Sequence, residues 1–265
     1  LQIFDDNYSF LKENRNAELV LYSVKGGREE QQDCSGYEIA DNRLMAVICD
    51  GMGGENDGKK ASNTAVGEFL NQYLLSENDG KPHDFFEKAI VSANSAICSF
   101  TDKNGNMVCA GTTVVCILIA DGLLRWASVG DSRLYILRDH ELVQATTDHN
   151  YALSLSEQLK NGNIDRQTYE TEMLQGDGLT SFLGVGREMQ VDINVRGIPL
   201  HSGDRILMTT DGLYKLVSDE EINRILTNFK NIGEAVQALE MKAAHGALKK
   251  RTVRDNMTIA LVNIK

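Results

Sequence analysis

The sequence predicts an α+β fold built around antiparallel strands. Short apolar runs are joined by tight polar turns, at Asp41-Asn42, Asp121-Gly122 and Asp139-His140, which is the pattern of hairpins. Helices with one apolar face come in consecutive pairs between the strand runs, rather than alternating with them. The chain has 265 residues, 42% of them hydrophobic. That is enough for a real core, and a single domain of this length is common among sheet-rich folds.

Residues 1–18 show no clear period and mix charge with Phe4, Tyr8 and Phe10. They read either as a packed arm or as a linker remnant, with one domain following over 19–265. Leu19 to Val24 reads as a strand broken by Gly26-Gly27, and a polar loop from Arg28 to Asp33 follows. Cys34 to Ala40 and Arg43 to Cys49 form a hairpin. A helix begins near Asp57, with Ala61, Ala65, Phe69, Leu70, Tyr73 and Leu74 on one face. Ser76 to Pro82 connects it to a second helix, striped by Phe85, Phe86, Ala89, Ile90, Ala93, Ile97 and Phe100.

Strands return at Val114 to Ala120, opened by Gly111-Thr112-Thr113, and at Leu123 to Val129, Leu134 to Leu137 and Glu141 to Ala145. From Thr146 to about Thr180 the apolar period is poor. A stretch this long within one domain is usually functional or mobile, and part of it, Tyr151 to Leu159, reads as helical. Gln190 to Ile198 and Arg205 to Thr209 are strands. Ser218-Asp219-Glu220-Glu221 is a capping box that opens a helix through Leu226. A second helix runs from Ile232 to Leu248, and Met257 to Ile264 is a terminal strand.

Lysine and arginine number 27 against 38 acids, a net charge of −11, which argues against nucleic acid or an anionic membrane as a general partner. The five cysteines have no CxxC spacing and no histidine pairing of zinc type. They read as buried free thiols in a reducing compartment, and with no signal peptide or membrane-length apolar run the expected location is cytoplasmic. The chain starts at Leu1 rather than Met, which reads as a processed chain or a piece of a longer one.

Chemistry enters at Val47-Ile48-Cys49-Asp50-Gly51-Met52-Gly53-Gly54. A carboxylate at the mouth of a buried strand is held rigidly, and the glycines after it let backbone approach a ligand closely. Side-by-side oxygens in such a place suit a hard divalent cation, although Asp-Gly is also a common turn dipeptide. Asp131 and Asp211 likewise end apolar strands, and Asp255 precedes one. If those strands share a sheet, their ends converge. Several carboxylates at one point need counter-charge, and a pair of hard cations would supply it, polarising a water for in-line attack at phosphorus. The competing reading is four unrelated turn aspartates.

The ordered set of motifs decides between them: Arg28 with Asp33, Asp50-Gly51-Met52-Gly53-Gly54, Gly111-Thr112-Thr113, Val129-Gly130-Asp131-Ser132-Arg133, Asp148-His149, Thr210-Asp211-Gly212-Leu213 and Asp255-Asn256-Met257-Thr258. From about Leu19 to Lys265 the chain resembles the metal-dependent serine/threonine protein phosphatases of the protein phosphatase 2C (PPM) type, in their bacterial-like branch. The resemblance implies a four-layer αββα sandwich, two antiparallel sheets flanked by helix pairs, with a metal cleft at one end. It implies that Asp50 bridges two Mn²⁺ or Mg²⁺ ions. Asp211 and Asp255 would complete one ion's protein ligands, and the Gly51 carbonyl would bind the other. Asp33 would hold a water on the metal, Arg28 would grip the substrate phosphate, and Asp131 with Asp211 matches a weaker third metal position. Residues 146–180 correspond to a variable flap beside the cleft.

Met52 stands where animal members carry a histidine proposed as general acid, which leaves a metal-bound water as the candidate proton donor. Gln32 replaces a frequent glutamate. His149 reads as loop-stabilising, and Asn256 either orients Asp255 or is a polar residue at a strand start. The implied activity is hydrolysis of phosphoserine and phosphothreonine in proteins, the substrates of a cognate kinase, by a monomer. The alternatives are hydrolysis of another phosphomonoester, or a phosphatase-fold module that binds metal or partners with weak activity.

Overall fold

In the computed structural model, which describes residues 2–4, 6–54, 56–78, 84–186 and 188–265, the run Leu44 to Cys49 is buried on both faces. Leu44, Ala46 and Ile48 enter one hydrophobic cluster, and Met45, Val47 and Cys49 enter another. A strand divided in that way, with period two, has packing partners on each side.

The elements in chain order are β1 (Gln2–Phe4), β2 (Tyr8–Glu13), β3 (Ala17–Val24), β4 (Asp33–Ala40), β5 (Arg43–Gly53), α1 (Asp57–Asn78), α2 (Phe85–Cys98), β6 (Ala110–Thr112), β7 (Val114–Ala120), β8 (Leu123–Val129), β9 (Arg133–Arg138) and β10 (Glu141–Gln144). They continue with α3 (Tyr151–Lys160), α4 (Arg166–Glu172), a 3-10 turn (Met173–Gln175), β11 (Asp192–Pro199), β12 (Arg205–Thr209), α5 (Asp211–Tyr214), α6 (Asp219–Asn228), α7 (Ile232–Lys250) and β13 (Met257–Ile264). One sheet has the order β1-β4-β5-β7-β8-β11, with β6 paired to the far end of β5. The other has the order β10-β9-β12-β13-β3-β2.

Three hydrophobic clusters separate four layers. The first joins α1 and α2 to the outer face of one sheet, through Phe69, Leu70, Phe85, Phe86 and Val47. The second lies between the sheets, with Ile48, Ile117, Leu21, Met208 and Val262. The third packs α6 and α7 on the other sheet, through Ile222, Leu226, Leu239, Leu207 and Leu261. This is the α+β, αββα sandwich. The hairpins form at the expected turns, and at Asp121-Gly122 both φ angles are positive, 55° and 70°, as a tight two-residue turn requires. No helix among the described residues is long and apolar enough to cross a membrane.

Within residues 1–18, the described residues include two paired strands. β1 extends one sheet beside β4, and β2 extends the other beside β3, which itself begins at Ala17. Phe4, Tyr8, Phe10 and Tyr37 stack together and fasten the two edges. The boundary drawn at residue 19 therefore falls inside paired structure. The connection expected over Ser76 to Pro82 falls mostly on residues 79–83, outside the described residues. Of the cysteines, Cys34, Cys49 and Cys116 are buried as expected, whereas Cys98 is half-buried and Cys109 is exposed.

Residues 146–180 are more regular than their sequence suggests. Besides α3, which Asn150 caps by accepting from the Leu153 amide, they form α4 and the 3-10 turn. The base of the segment is closed by backbone bonds from Tyr151 to Gly178 and from Ala152 to Gly176.

Candidate active site

β4 and β5 pair so that Asp33 lies directly opposite Asp50. Counting by twos from Ile48 places Asp50 on the face that looks at the other sheet, and counting back from Ser35 does the same for Asp33. Asp33 is fully buried there. Its Oδ2 accepts from the hydroxyls of Thr210 (3.0 Å) and Thr258 (2.8 Å), which belong to the second sheet's end of the sandwich. Its Oδ1 has no hydrogen-bond partner among the described residues.

Asp50 does not end its strand, as its sequence suggests. β5 continues through Gly53 by leaving β7 and pairing with β6. Thr112 and Thr113 hold the backbone of Asp50. The Thr112 hydroxyl and the Thr113 amide donate to the Asp50 carbonyl (2.8 and 2.9 Å), and the Asp50 amide donates to the Thr113 hydroxyl (3.0 Å). Thr113 is in turn bonded to Ser132 at 2.7 Å, which ties the Gly111-Thr112-Thr113 and Gly130-Asp131-Ser132 motifs to the same point. At Gly51 a Cβ would meet the Gly58 carbonyl oxygen at 2.1 Å and that of Gln32 at 2.7 Å. Only glycine allows that approach of three backbone segments.

The loop that carries Arg28 is fixed by Asn256. The Asn256 amide group donates to the carbonyls of Lys25 (2.8 Å) and Glu30 (2.9 Å), and its oxygen accepts from the Gln32 amide (2.8 Å). Its own backbone N–H donates to Asp255 Oδ1 at 2.9 Å. Asn256 thus orients Asp255 and also clamps a loop, a role its sequence position did not disclose. Arg28, 56% exposed, donates through Nη2 to Asp255 Oδ2.

Arg28, Asp50, Gly51, Asp211 and Asp255 line one cleft of about 730 Å³, together with Met52, Gly53 and Gly54. Asp131 lies in an adjoining cleft of about 600 Å³, with Arg133, Asp177, Tyr214 and Lys215. The four expected aspartates therefore do not share a sheet. Their strands belong to both sheets, and convergence comes from stacking the two. His149 accepts from the Gly130 amide at Nδ1 (3.1 Å), and its own amide donates to the Gly130 carbonyl (2.9 Å), so it supports the loop before Asp131. Arg133 donates two hydrogen bonds to the Asp148 carboxylate, from Nε (3.0 Å) and Nη2 (2.7 Å), and stacks on the Tyr214 ring.

The acids raise one another's proton affinity. Burial pushes Asp33 up to about 7, opposed by the Thr258 and Thr210 hydroxyls. Burial, then Asp33, Asp211, Asp131 and Asp255, hold Asp50 well above the usual carboxylate range. Burial and Asp211 raise Asp131 to about 6, and burial raises Asp211 despite Lys215. Asp33, Asp50, Asp131, Asp211 and Asp255 face two paired cations, Arg28 at Asp255 and Lys215 at Asp211, so the cluster is short of positive charge.

The protein phosphatase 2C family model matches residues 25–250. The chain belongs to the protein phosphatase 2C family. It is 29% identical over 242 residues to the serine/threonine phosphatase stp of Listeria monocytogenes, a match covering 89% of this chain and 90% of that protein. The serine/threonine phosphatase of S. agalactiae superposes with a TM-score of 0.76 at 26% identity, over 94% of this chain and 100% of that one. The catalytic domain of the phosphatase PstP, solved in complex with two manganese ions, superposes with a TM-score of 0.73 at 26% identity, over 94% and 98%. The chain is a metal-dependent serine/threonine protein phosphatase of the bacterial PPM type.

The phosphatase's own residues fit hard divalent cations. The cleft is lined by the carboxylate residues Asp50, Asp211 and Asp255 and by Gly51, whose donors to a cation would be oxygen. The proton affinities of Asp33 and Asp50 are raised by burial and by the other acids, and the buried Asp33 Oδ1 lacks a hydrogen-bond partner among the described residues. Among the described residues no group of three His, Cys, Asp or Glu side chains closes around one point. A cation here would therefore keep several waters, as Mg²⁺ and similar ions commonly do.

Proposed function

We propose that Asp50, Asp211 and Asp255, with the Gly51 carbonyl, hold two divalent cations, Mn²⁺ or Mg²⁺, and that Arg28 engages the phosphate of a phosphoserine or phosphothreonine side chain. The observation that carries this reading is the shared cleft. These five residues come from distant parts of the chain, yet all line one opening at the end of the sandwich. When bound, the ions would supply Lewis acidity for attack of water at phosphorus.

The chain's residues do the rest. Arg28 presents a planar fork to phosphate oxygens, and its pairing with Asp255 stations the fork at the cleft. Asp33, immobilised through Oδ2 by two threonines, offers Oδ1 to orient a water. Asn256 keeps the Arg28 loop and Asp255 in register. Met52 lines the cleft and cannot donate a proton. The reading extends to a cytoplasmic monomer acting on the substrates of a cognate kinase, without nucleic acid, for which the net charge of −11 is support.

Asp211→Asn tests the assignment of ligands. Metal content after dialysis against Mn²⁺ and hydrolysis of a phosphothreonine peptide should fall together. A variant that keeps its full metal complement but loses rate would remove Asp211 from the ligand set.

A further inference from the structure

The side of the site that faces residues 146–180 already holds a cation of its own. Lys215 follows α5, one helical turn after Asp211, and its Nζ lies 2.8 Å from Asp211 Oδ2 and 3.4 Å from Asp177 Oδ2. Asp131 lines the same cleft as Lys215 and Asp177. Two carboxylates, Asp177 in the segment above and Asp211 at the start of α5, thus pair with one ammonium, and Asp131 after β8 lines the cleft beside it.

We propose that the Lys215 ammonium is the resident cation of this group, so that the Asp131 side of the site takes no metal ion and is tied to the overhanging segment by a lysine instead. This rests on the reading of Asp50, Asp211 and Asp255 as the ligands of two ions. An ammonium with three donors can serve two carboxylates at once and still offset the field of a third nearby, as a small cation would. The placement is anchored: the Lys215 carbonyl accepts from Lys250 Nζ at 2.5 Å, its amide donates to the Asp211 carbonyl at 3.1 Å, and the neighbouring Tyr214 hydroxyl donates to the Asp131 carbonyl at 3.0 Å. Lys215 uses only Oδ2 of Asp211, which leaves the other oxygen of that carboxylate for the pair of ions in the main cleft. A divalent ion between Asp131 and Asp211 would meet a fixed positive charge at close range, and that repulsion is weakly screened in a partly buried site. Lys215 is accordingly a positioning residue. It neutralises the acids next to the site and connects Asp177 to Asp211.

The number of Mn²⁺ ions bound by the full chain, measured by equilibrium dialysis and by calorimetry, tests this directly through the difference between variants. Lys215→Ala should bind one more Mn²⁺ than the parent, and Lys215→Arg, which keeps the charge, should bind the same number as the parent. If the alanine variant does not fold, Lys215→Gln, with a side chain of similar length and no charge, gives the same reading. Loss of the extra site in the double variant Lys215→Ala, Asp131→Asn would place the added ion at Asp131. An equal count in the parent and in the uncharged variant overturns the proposal. A parent that binds no ion at all while Lys215→Ala binds one refutes the two-ion reading and not this one.

Discussion

Arg28 and Asp255 stand 227 residues apart in sequence and neutralise each other at the mouth of the cleft. The same guanidinium is the group proposed to meet the phosphate. One hydrogen bond to a charged group contributes about 1.5–3 kcal/mol. Arg28→Ala should therefore lower kcat/KM on a phosphopeptide roughly ten- to a hundred-fold, while Mn²⁺ content stays unchanged. A kinetically silent variant would mean that phosphate is held elsewhere. Asp131 supports a prediction about pH. Burial and Asp211 hold its carboxyl at about 6 in the fold, above the usual carboxylate value. The folded state therefore binds that proton more tightly than the unfolded state, and the metal-free fold loses stability as pH rises from about 4 to about 6. Asp131→Asn removes this loss. Its thermal midpoint in chelator should sit close to the parent's near pH 4. It should exceed the parent's above pH 7 by an amount equivalent to roughly 2–3 kcal/mol. A pH-independent difference would contradict the electrostatic cause. That Asp50, Asp211 and Asp255 gather at one cleft was legible from their neighbours in sequence. What Asn256, Thr113 and Lys215 do was not, because each acts on backbone or side chains far away in the chain.

At the scale of elements, the apolar runs were legible and the polar ones were not. β7, β8, β12 and β13 carry side chains that alternate between two buried faces, and their limits follow from the sequence pattern. α4 buries no residue at all; it is held by Asp165, which caps it at the Thr168 amide, and by the Arg166–Glu170 pair. Local bonds of that kind leave no apolar period to read. β1 and β2 are short edge strands that half-bury only Phe4, Tyr8 and Phe10, so they too lack a long signal. The segment 146–180 lines the Asp131 cleft through Asn150, Ala152, Leu153, Ser156 and Asp177, and it contributes nothing to the cleft of Asp50. On the proposed function, a segment beside the site would meet the remote parts of a protein substrate, where binding energy can be added without changing the reacting centre. Shortening Asn161 to Gly176 should reduce hydrolysis of a phosphopeptide more than that of a small aryl phosphate. An equal fall for both would make the segment a support of the fold.

The whole molecule places its site where two sheets end together. β5 and β8 bring Asp50 and Asp131 from one sheet, β12 and β13 bring Asp211 and Asp255 from the other, and Asp33 joins the two through Thr210 and Thr258. Neither sheet alone assembles the cluster. The order of motifs along the chain singles out these acids as candidates, but only the stacking of the layers makes them neighbours. The hydrophobic clusters that hold those layers contain none of the proposed ligands, so metal removal should leave the sandwich folded. The most direct test of the account is Mn²⁺ content and phosphoserine-peptide hydrolysis, measured on the same samples of the parent and Asp50→Asn during removal and return of the metal. The account predicts that chelation abolishes hydrolysis without unfolding the parent, that Mn²⁺ restores it as two ions bind, and that Asp50→Asn neither binds both ions nor recovers. Full hydrolysis in excess chelator, or an Asp50→Asn protein that binds both ions and works at the parent's rate, would contradict it.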